Sequence, residues 1–489
     1  MPDSIPDPNP RIGGHAVVLG ASMAGLLAAR TLADFFDTVT VVERDPLPVS
    51  DTARRGVPQG RHLHGLLARG AQVIEELLPG ILDQLVMDGA QYFDGQDLSQ
   101  WYYNLGGHPM VRSGSAPSIT AYLVTRPFLE DHVRRRVRDI PNVTLLGEHD
   151  VVALTSVTST RDRRRVTGAR VVDRRSGEDS TLSADLVVDA TGRGGRTPFW
   201  LDSLGYGRPP EDRVAVHVTY ISQVLSMTPD ALRELGFVVG VVPGRPRGFG
   251  MLHCENDTWV FTVMGIAGCE PPQDFPGMCE FVEDCAPAHM LAAVREARPI
   301  GEPARHRMPS SQWRRYDKMR RFPDGLLVVG DAICSFNPIY GQGMTVAALE
   351  AAALRDCLFG GTEDLARRFF RAAARPIRQA WQLSATPDRA LPETDGAPTL
   401  PERLLNRYVD RVLAAAEYDA AAVDQFVKVT SLVDPPSRLL RPGIMWRAAR
   451  AGDRRRPARS GGATERPALR KTAHSTPPTD AADSVILSW

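Results

Sequence analysis

The sequence predicts an α/β protein, and three stretches predict it. "HAVVLGASMAGLLAARTLADFFDTVTVVERD" (His15 to Asp45) runs strand, glycine turn, helix, strand. "SADLVVDATG" (Ser183 to Gly192) is an apolar strand ending in a turn, and "GLLVVGDAICSFNPIYGQGMTVAALEA" (Gly325 to Ala351) runs strand, Gly-Asp turn, glycine turn, helix. Short apolar runs bounded by turn residues can expose neither face to water, so they belong to strands covered on both sides by helices.

The first stretch is the most informative. After its strand comes the turn Gly20-Ala21-Ser22-Met23-Ala24-Gly25, then an alanine-rich helix, then "TVTVVE" ending in Glu43. This is the dinucleotide-binding layout: a glycine turn at a helix N-terminus accepts a pyrophosphate, and an acid about twenty positions on holds a ribose hydroxyl. Ser22 stands where the middle glycine is usual, and its small side chain still permits close approach. A hydrolase nucleophile elbow is excluded, because Gly-x-Ser-x-Gly would need the second glycine one residue earlier.

The third stretch repeats the logic. Glycines before the helix near Gly341 bare its N-terminus to a ligand, while Asp331, which would repel phosphate, suits a sugar-alcohol hydroxyl. An Asp-capped βα turn is the plainer alternative for this motif taken alone.

With the strand ending Asp189-Ala190-Thr191-Gly192 between these two motifs, the chain resembles the FAD-dependent monooxygenases of the para-hydroxybenzoate hydroxylase type (group A). It most resembles the branch that epoxidises or hydroxylates large polyketide or terpenoid substrates. The resemblance spans about residues 15 to 390 and rests on three motifs in the family's order. It implies a Rossmann-like FAD-binding domain of the glutathione-reductase type, a β-sheet substrate domain and a C-terminal helical cap. It also implies that Gly20, Ser22 and Gly25 face the pyrophosphate, Glu43 the adenosine ribose, and Arg44 the adenine or phosphate. Gly192 lies beside the FAD, and Val151 in "HDVVALT" is on the strand whose backbone meets the adenine. Arg126 in "VTRPFLEDHVRRRV" starts the helix that returns to the cofactor, and Asp331 holds the ribityl chain. Pro338, Gly341, Gly343 and Met344 line the isoalloxazine, with Arg61 in "GVPQGRHLHGLL" as a flavin neighbour.

The chemistry implied is insertion of one oxygen atom from O2, by way of a flavin C4a-hydroperoxide, into a hydrophobic natural-product-like substrate. The alternatives are a geranylgeranyl-type prenyl reductase and aromatic hydroxylation of a phenol. Ile333 and Cys334 follow Gly-Asp-Ala where many phenol hydroxylases of the family carry a His, which favours the epoxidase-like branch. An alkene takes oxygen without a general base, so no catalytic side chain is assigned. A flavin halogenase would need a lysine in the N-terminal half and a Trp-x-Trp-x-Ile-Pro segment, but no lysine precedes Lys318 and no such segment occurs. No second glycine-turn domain for a nicotinamide is present, so electrons come from transiently bound NAD(P)H or from reduced flavin supplied by a flavin reductase.

The rest of the chain divides around these motifs. The expected FAD-binding domain is discontinuous, at 15–85, 120–210 and 300–390. The substrate domain comprises 86–119, with Tyr92, Phe93, Trp101, Tyr102 and Tyr103, and 211–299, where "GFGMLHCENDTWVFTVMGI" predicts a hairpin turning at Asn256-Asp257. The aromatics fill core or line a roomy apolar pocket. Residues 391–450 show heptad-like apolar spacing and predict packed helices, with membrane contact not expected. Residues 1–14 are a proline-rich leader without signal-peptide character, and 451–489 form a polar tail predicted to be disordered.

Composition is consistent with this. The 489 residues are 43% hydrophobic, enough for one large or two medium cores, and a formal net charge of zero gives no reason to expect nucleic acid. Six cysteines without CxxC pairing predict a reduced, cytoplasmic protein. His62 and His64 flank no third ligand at suitable spacing, so no metal is assigned. The expected partner is a small hydrophobic polyketide, terpenoid or aromatic.

Overall fold

The computed structural model describes residues 11–47, 54, 56–158, 164–390 and 399–454. The expected leader lies mostly, and the expected tail almost wholly, outside the described residues. The three motif strands lie side by side in a five-stranded parallel sheet, in the order Leu326–Val328, Leu186–Asp189, Gly13–Leu19, Phe36–Val42, Val143–Leu146. Their register is direct: Leu19 pairs with Asp189 and Val42, and Asp189 with Val328. All three motif turns therefore emerge at the same C-terminal edge of the sheet, where ligands of open α/β sheets bind.

Helices Met23–Ala33 and Gly343–Leu358 pack against each other in the largest core, with Leu26, Leu27, Ala348 and Leu354 fully or almost fully buried. A three-stranded antiparallel sheet, Asp179–Ser183, Arg164–Asp173 and His149–Thr158, flanks the parallel one.

The second large unit is an eight-stranded sheet. Its order is Cys334–Ser335, Arg298–Arg314, Glu211–Ser226, Thr258–Gly265, Arg247–His253, Gly236–Val239, Trp101–Leu105, His108–Pro109. The predicted hairpin is present, and Asn256 and Asp257 both take positive φ in its turn (55° and 53°). Trp101–Leu105 pairs in parallel with Gly236–Val239, so Trp101, Tyr102 and Tyr103 of the first insertion share a sheet with the second, while Gln91–Phe93 pairs apart from it with Ala121–Leu123.

The boundary expected at 300 falls inside the strand Arg298–Arg314. That strand carries Pro299, Pro303 and Pro309 and little apolar alternation, which hides it from a periodicity reading. It tolerates the prolines because it is paired along its length only with Glu211–Ser226, its other side meeting just Cys334–Ser335.

The C-terminal helices are Leu400–Ala416, Ala420–Thr430 and Pro442–Arg454. The heptad-like run is broken where Asp419 caps the second helix by accepting from Ala421 N at 2.9 Å. Val412, Val423, Phe426, Ile444 and Ala448 form a core with Trp101, Met110 and Leu252 of the large sheet and its flank. The preceding helix, Leu365–Ala390, continues through Pro376 and Pro387.

Candidate active site

One cavity of about 1960 Å³ lies between the parallel sheet, the large sheet and the C-terminal helices. Ordinary ligand pockets are roughly 300–1,000 Å³, so this one has room for two occupants. Among its lining residues are Gly20, Ser22, Glu43, Arg44, Arg126, Val151, Gly192, Asp331, Pro338, Gly341, Gly343 and Met344. Sequence positions more than 300 apart thus meet in one wall.

At the first turn, Gly20 takes φ +104°, and a Cβ there would lie 2.6 Å from the Ala190 carbonyl oxygen. Gly25 is not in the cavity wall. A Cβ at Gly25 would lie 1.9 Å from the Gly20 carbonyl oxygen, so its job is to seat the helix tightly on the turn. Close packing alone therefore demands glycine at this position of the motif.

Ser22 is tied down. Its hydroxyl donates to Glu130 Oε2 (3.1 Å) and accepts from Arg126 Nη2 (2.9 Å). Glu43 closes the turn, accepting from Ala21 N (2.8 Å) and Asp45 N (3.0 Å) and pairing with Arg54 Nη1 (3.1 Å). Arg54 also donates to the Ala21 carbonyl (2.9 Å) and pairs with Glu130. Burial raises the proton affinity of Glu130, but Arg126 and Arg54 outweigh it and hold the carboxyl below its usual range. Sequence reasoning missed Arg54 and Glu130. The i,i+4 spacing of Arg126 and Glu130 was the available signal.

Asp331 opens onto the cavity and makes no hydrogen bond to a described residue. Its surroundings desolvate it and raise its pKa, with Arg126 and Arg193 acting in the opposite sense. A carboxylate that opens into a cavity without a protein partner suits hydroxyl donors, and Cβ atoms at Gly192 and Gly194 would meet open space. The residues present therefore fit FAD: the glycine turn for its pyrophosphate, Asp331 for its ribityl hydroxyls, and the N-terminus of Gly343–Leu358 for its ring. Arg193, also unforeseen, bonds the Ser310 carbonyl (2.6 Å) and Ser335 Oγ (2.7 Å), joining the turn after Asp189 to the large sheet.

Arg61 is exposed and lies outside the cavity wall, which at this segment is made by Gln59, His62, Leu63 and His64. At this segment it is the two histidines, not Arg61, that face the cavity. His62 Nδ1 contacts Ser222 Oγ (2.7 Å), and His64 Nδ1 contacts the His62 carbonyl (2.9 Å). Burial lowers their pKa values to about 4 and about 3, so both rings are neutral at pH 7. Among the described residues no three His, Cys, Asp or Glu side chains form a metal site.

The loop carrying Pro338 and Gly341 is braced from below. Tyr220 Oη donates to Asn337 Oδ1 (2.8 Å), and Asn337 Nδ2 (3.1 Å) and Tyr340 Oη (2.8 Å) both donate to Asp388 Oδ1. Burial raises the Asp388 pKa to about 6, opposed by those two donors. Beyond the loop, the large sheet and C-terminal helices line the cavity with Trp101, Tyr103, Met264, Leu413 and Phe426. The rings of Trp101 and Tyr103 stack 5.0 Å apart at 4°.

Comparison with known proteins agrees with this geometry. Residues 15–360 match the family described as FAD binding domain. The chain is 40% identical over 431 residues to Protein Rv3254 of Mycobacterium tuberculosis, covering 86% of this chain and 90% of that one. It is 26% identical over 384 residues to kynurenine 3-monooxygenase of Salinispora arenicola, covering 74% and 76%. The fold is similar to that of the flavin-dependent brominase Bmp2 (TM-score 0.62, 14% identity, covering 91% of this chain and 100% of that one). The chain belongs to the FAD binding domain family and, within it, to the flavoprotein monooxygenases of the para-hydroxybenzoate hydroxylase type, as an FAD-dependent oxidoreductase.

Proposed function

We propose that this enzyme transfers one oxygen atom from O2 to a large, neutral, hydrophobic substrate of natural-product type, by epoxidation of an alkene or by hydroxylation. The observation that carries the proposal is the cavity wall supplied by the large sheet and C-terminal helices. It is apolar and aromatic, and the charged side chains on it already have partners: Arg307 pairs with Glu270, Arg389 pairs with Glu402, and Asp410 is hydrogen-bonded to His108 Nε2. With His62 and His64 neutral as well, the wall offers a carboxylate or ammonium substituent no partner, and burying either unpaired is costly.

FAD, when bound and reduced, would supply the two electrons that activate O2, one atom of which passes to the substrate while the other leaves as water. The chain's own residues position and shield. The glycine turn and Arg126 anchor one end, Asp331 takes hydroxyl donors, and the helix starting at Gly343 points its positive end at the ring. Trp101, Tyr103, Leu413 and Phe426 keep water away from the site of transfer. Electrons reach the enzyme from NAD(P)H or from a partner flavin reductase, in the cytoplasm. Among the described residues no helix is long and apolar enough to cross a membrane.

The test is a visible spectrum of the purified protein, then anaerobic reduction and mixing with oxygen and a panel of polyene, terpenoid and aromatic substrates, with products read by mass. A flavin spectrum and a gain of one oxygen are expected. A gain of two hydrogens without oxygen use would establish a reductase instead.

A further inference from the structure

Fourteen large hydrophobic side chains are exposed among the described residues, and seven of them, Leu400, Leu404, Leu405, Tyr418, Leu440, Met445 and Trp446, lie within residues 400–446. So strong a concentration in one short part of the chain marks a surface meant to be covered.

The fold brings several of these together around the cavity mouth. Leu400 and Leu404 are one turn apart on the helix Leu400–Ala416. Tyr408 of that helix donates to the Leu439 carbonyl at 2.5 Å, which holds Leu440 alongside. Leu405 and Leu440 are exposed and also line the cavity, so the cavity reaches the surface between them. The helix Pro442–Arg454 is packed as its sequence predicts, with Ile444, Ala448 and Ala451 buried, yet that packing turns Met445 and Trp446 outward.

The charge on this segment has one sign. Residues 436–451 contain four arginines, Arg438, Arg441, Arg447 and Arg450, and no acid. The guanidinium of Arg450 lies 4.4 Å from the centre of the Trp446 ring. Of the nearby acids, Glu402 and Asp419 pair with Arg389 and Arg447, and Asp410 is hydrogen-bonded to His108.

We infer that this basic, apolar rim docks on an anionic lipid surface, and that the hydrophobic substrate enters from that surface between Leu405 and Leu440. The entry route rests on the proposed function, whereas the docking does not. An outward Trp beside arginines is the pattern of an interfacial helix, its ring among acyl chains and its cations among headgroups. A second copy is a poorer occupant, since a two-fold contact would set each arginine-rich rim against its own image.

The experiment is flotation of the full-length, flavin-loaded protein with phosphatidylcholine vesicles and with vesicles containing phosphatidylglycerol. Binding to the anionic vesicles at least about tenfold tighter, weakened by salt, is expected. The double variant Met445→Glu/Trp446→Glu should lower it by about tenfold or more while flavin content and melting temperature stay unchanged, both side chains being exposed. Absence of binding, equal binding to neutral vesicles, or binding that the double variant leaves intact would overturn the inference. So would a dimer that the double variant dissociates, which would make the face a subunit interface. Flotation needs no turnover, so a protein that floats but oxygenates nothing would refute the proposed function and leave the docking standing.

Discussion

Substituting Gly25 by alanine tests the cofactor half of the site at the point where the structure is least forgiving. The added Cβ would lie 1.9 Å from the Gly20 carbonyl oxygen, against a practical minimum of 3.0 Å, with Ala190 Cβ 3.3 Å away. The start of the helix Met23–Ala33 must therefore move away from the turn by about 1 Å, and overpacking of this kind costs about 1–3 kcal/mol. Because the movement displaces the backbone N–H groups that would meet the pyrophosphate, the cost falls on FAD affinity as well as on stability. In affinity it amounts to about 5- to 150-fold. Titrating the apo-protein with FAD, alongside thermal melting, measures both. Gly60→Ala is the control, since a Cβ at Gly60 has no neighbour nearer than 3.9 Å. A Gly25→Ala protein that binds FAD as tightly as the parent and melts at the same temperature would refute the close-packing argument.

Other perturbations separate the remaining parts of the site. Arg126→Gln removes a buried cation bonded to Ser22 and paired with Glu130. It should cost about 3–5 kcal/mol of stability and at least about tenfold in FAD affinity, and an unchanged denaturation midpoint would count against it. Glu350, fully buried at the end of a hydrogen bond from Gly330 N, has its pKa raised by burial from 4.5 to about 8. Its contribution to stability is thus complete below pH 4.5 and lost as pH rises through about 8. Glu350→Gln should flatten the decline in melting temperature between pH 5 and 9, whereas parallel curves for the two proteins would exclude that assignment. Leu413→Trp places bulk in the substrate wall. It should raise KM for the largest substrates about tenfold with flavin content unchanged, and equal KM values would mean substrate lies elsewhere.

What could be read from the sequence divides along a physical line. The cofactor site is built from turns whose chemistry is local: a glycine that must take positive φ, an acid at a strand end, a helix that begins where the turn stops. Each leaves its mark within a few residues, so Gly20, Glu43, Asp331 and Gly341 are legible one motif at a time. Arg54 and Arg193 are not. Each acts by reaching a distant segment, Arg54 to Glu43 and Glu130, Arg193 to Ser310 and Ser335, and nothing in their own neighbourhoods announces it. Gly25 shows the subtler case, in which the motif is read correctly but the reason for the glycine is helix packing rather than ligand approach. Arg61 shows the converse: it is exposed while its neighbours line the cavity, because a turn sends neighbouring residues in different directions and only the fold settles which of them faces inward.

The substrate wall is illegible for a deeper reason. Trp101 and Tyr103 come from the first insertion, Leu252 and Met264 from the second, Leu413 and Phe426 from helices after the long helix Leu365–Ala390, and no two of these groups are neighbours in sequence. They meet because Trp101–Leu105 adds to the edge of the large sheet beside Gly236–Val239, and because the C-terminal helices then close over that edge. A change in any one segment reshapes the pocket without touching a cofactor motif. The fold can therefore keep its flavin site fixed while its substrate changes, so the 26% identity to a kynurenine 3-monooxygenase carries no substrate over to this chain.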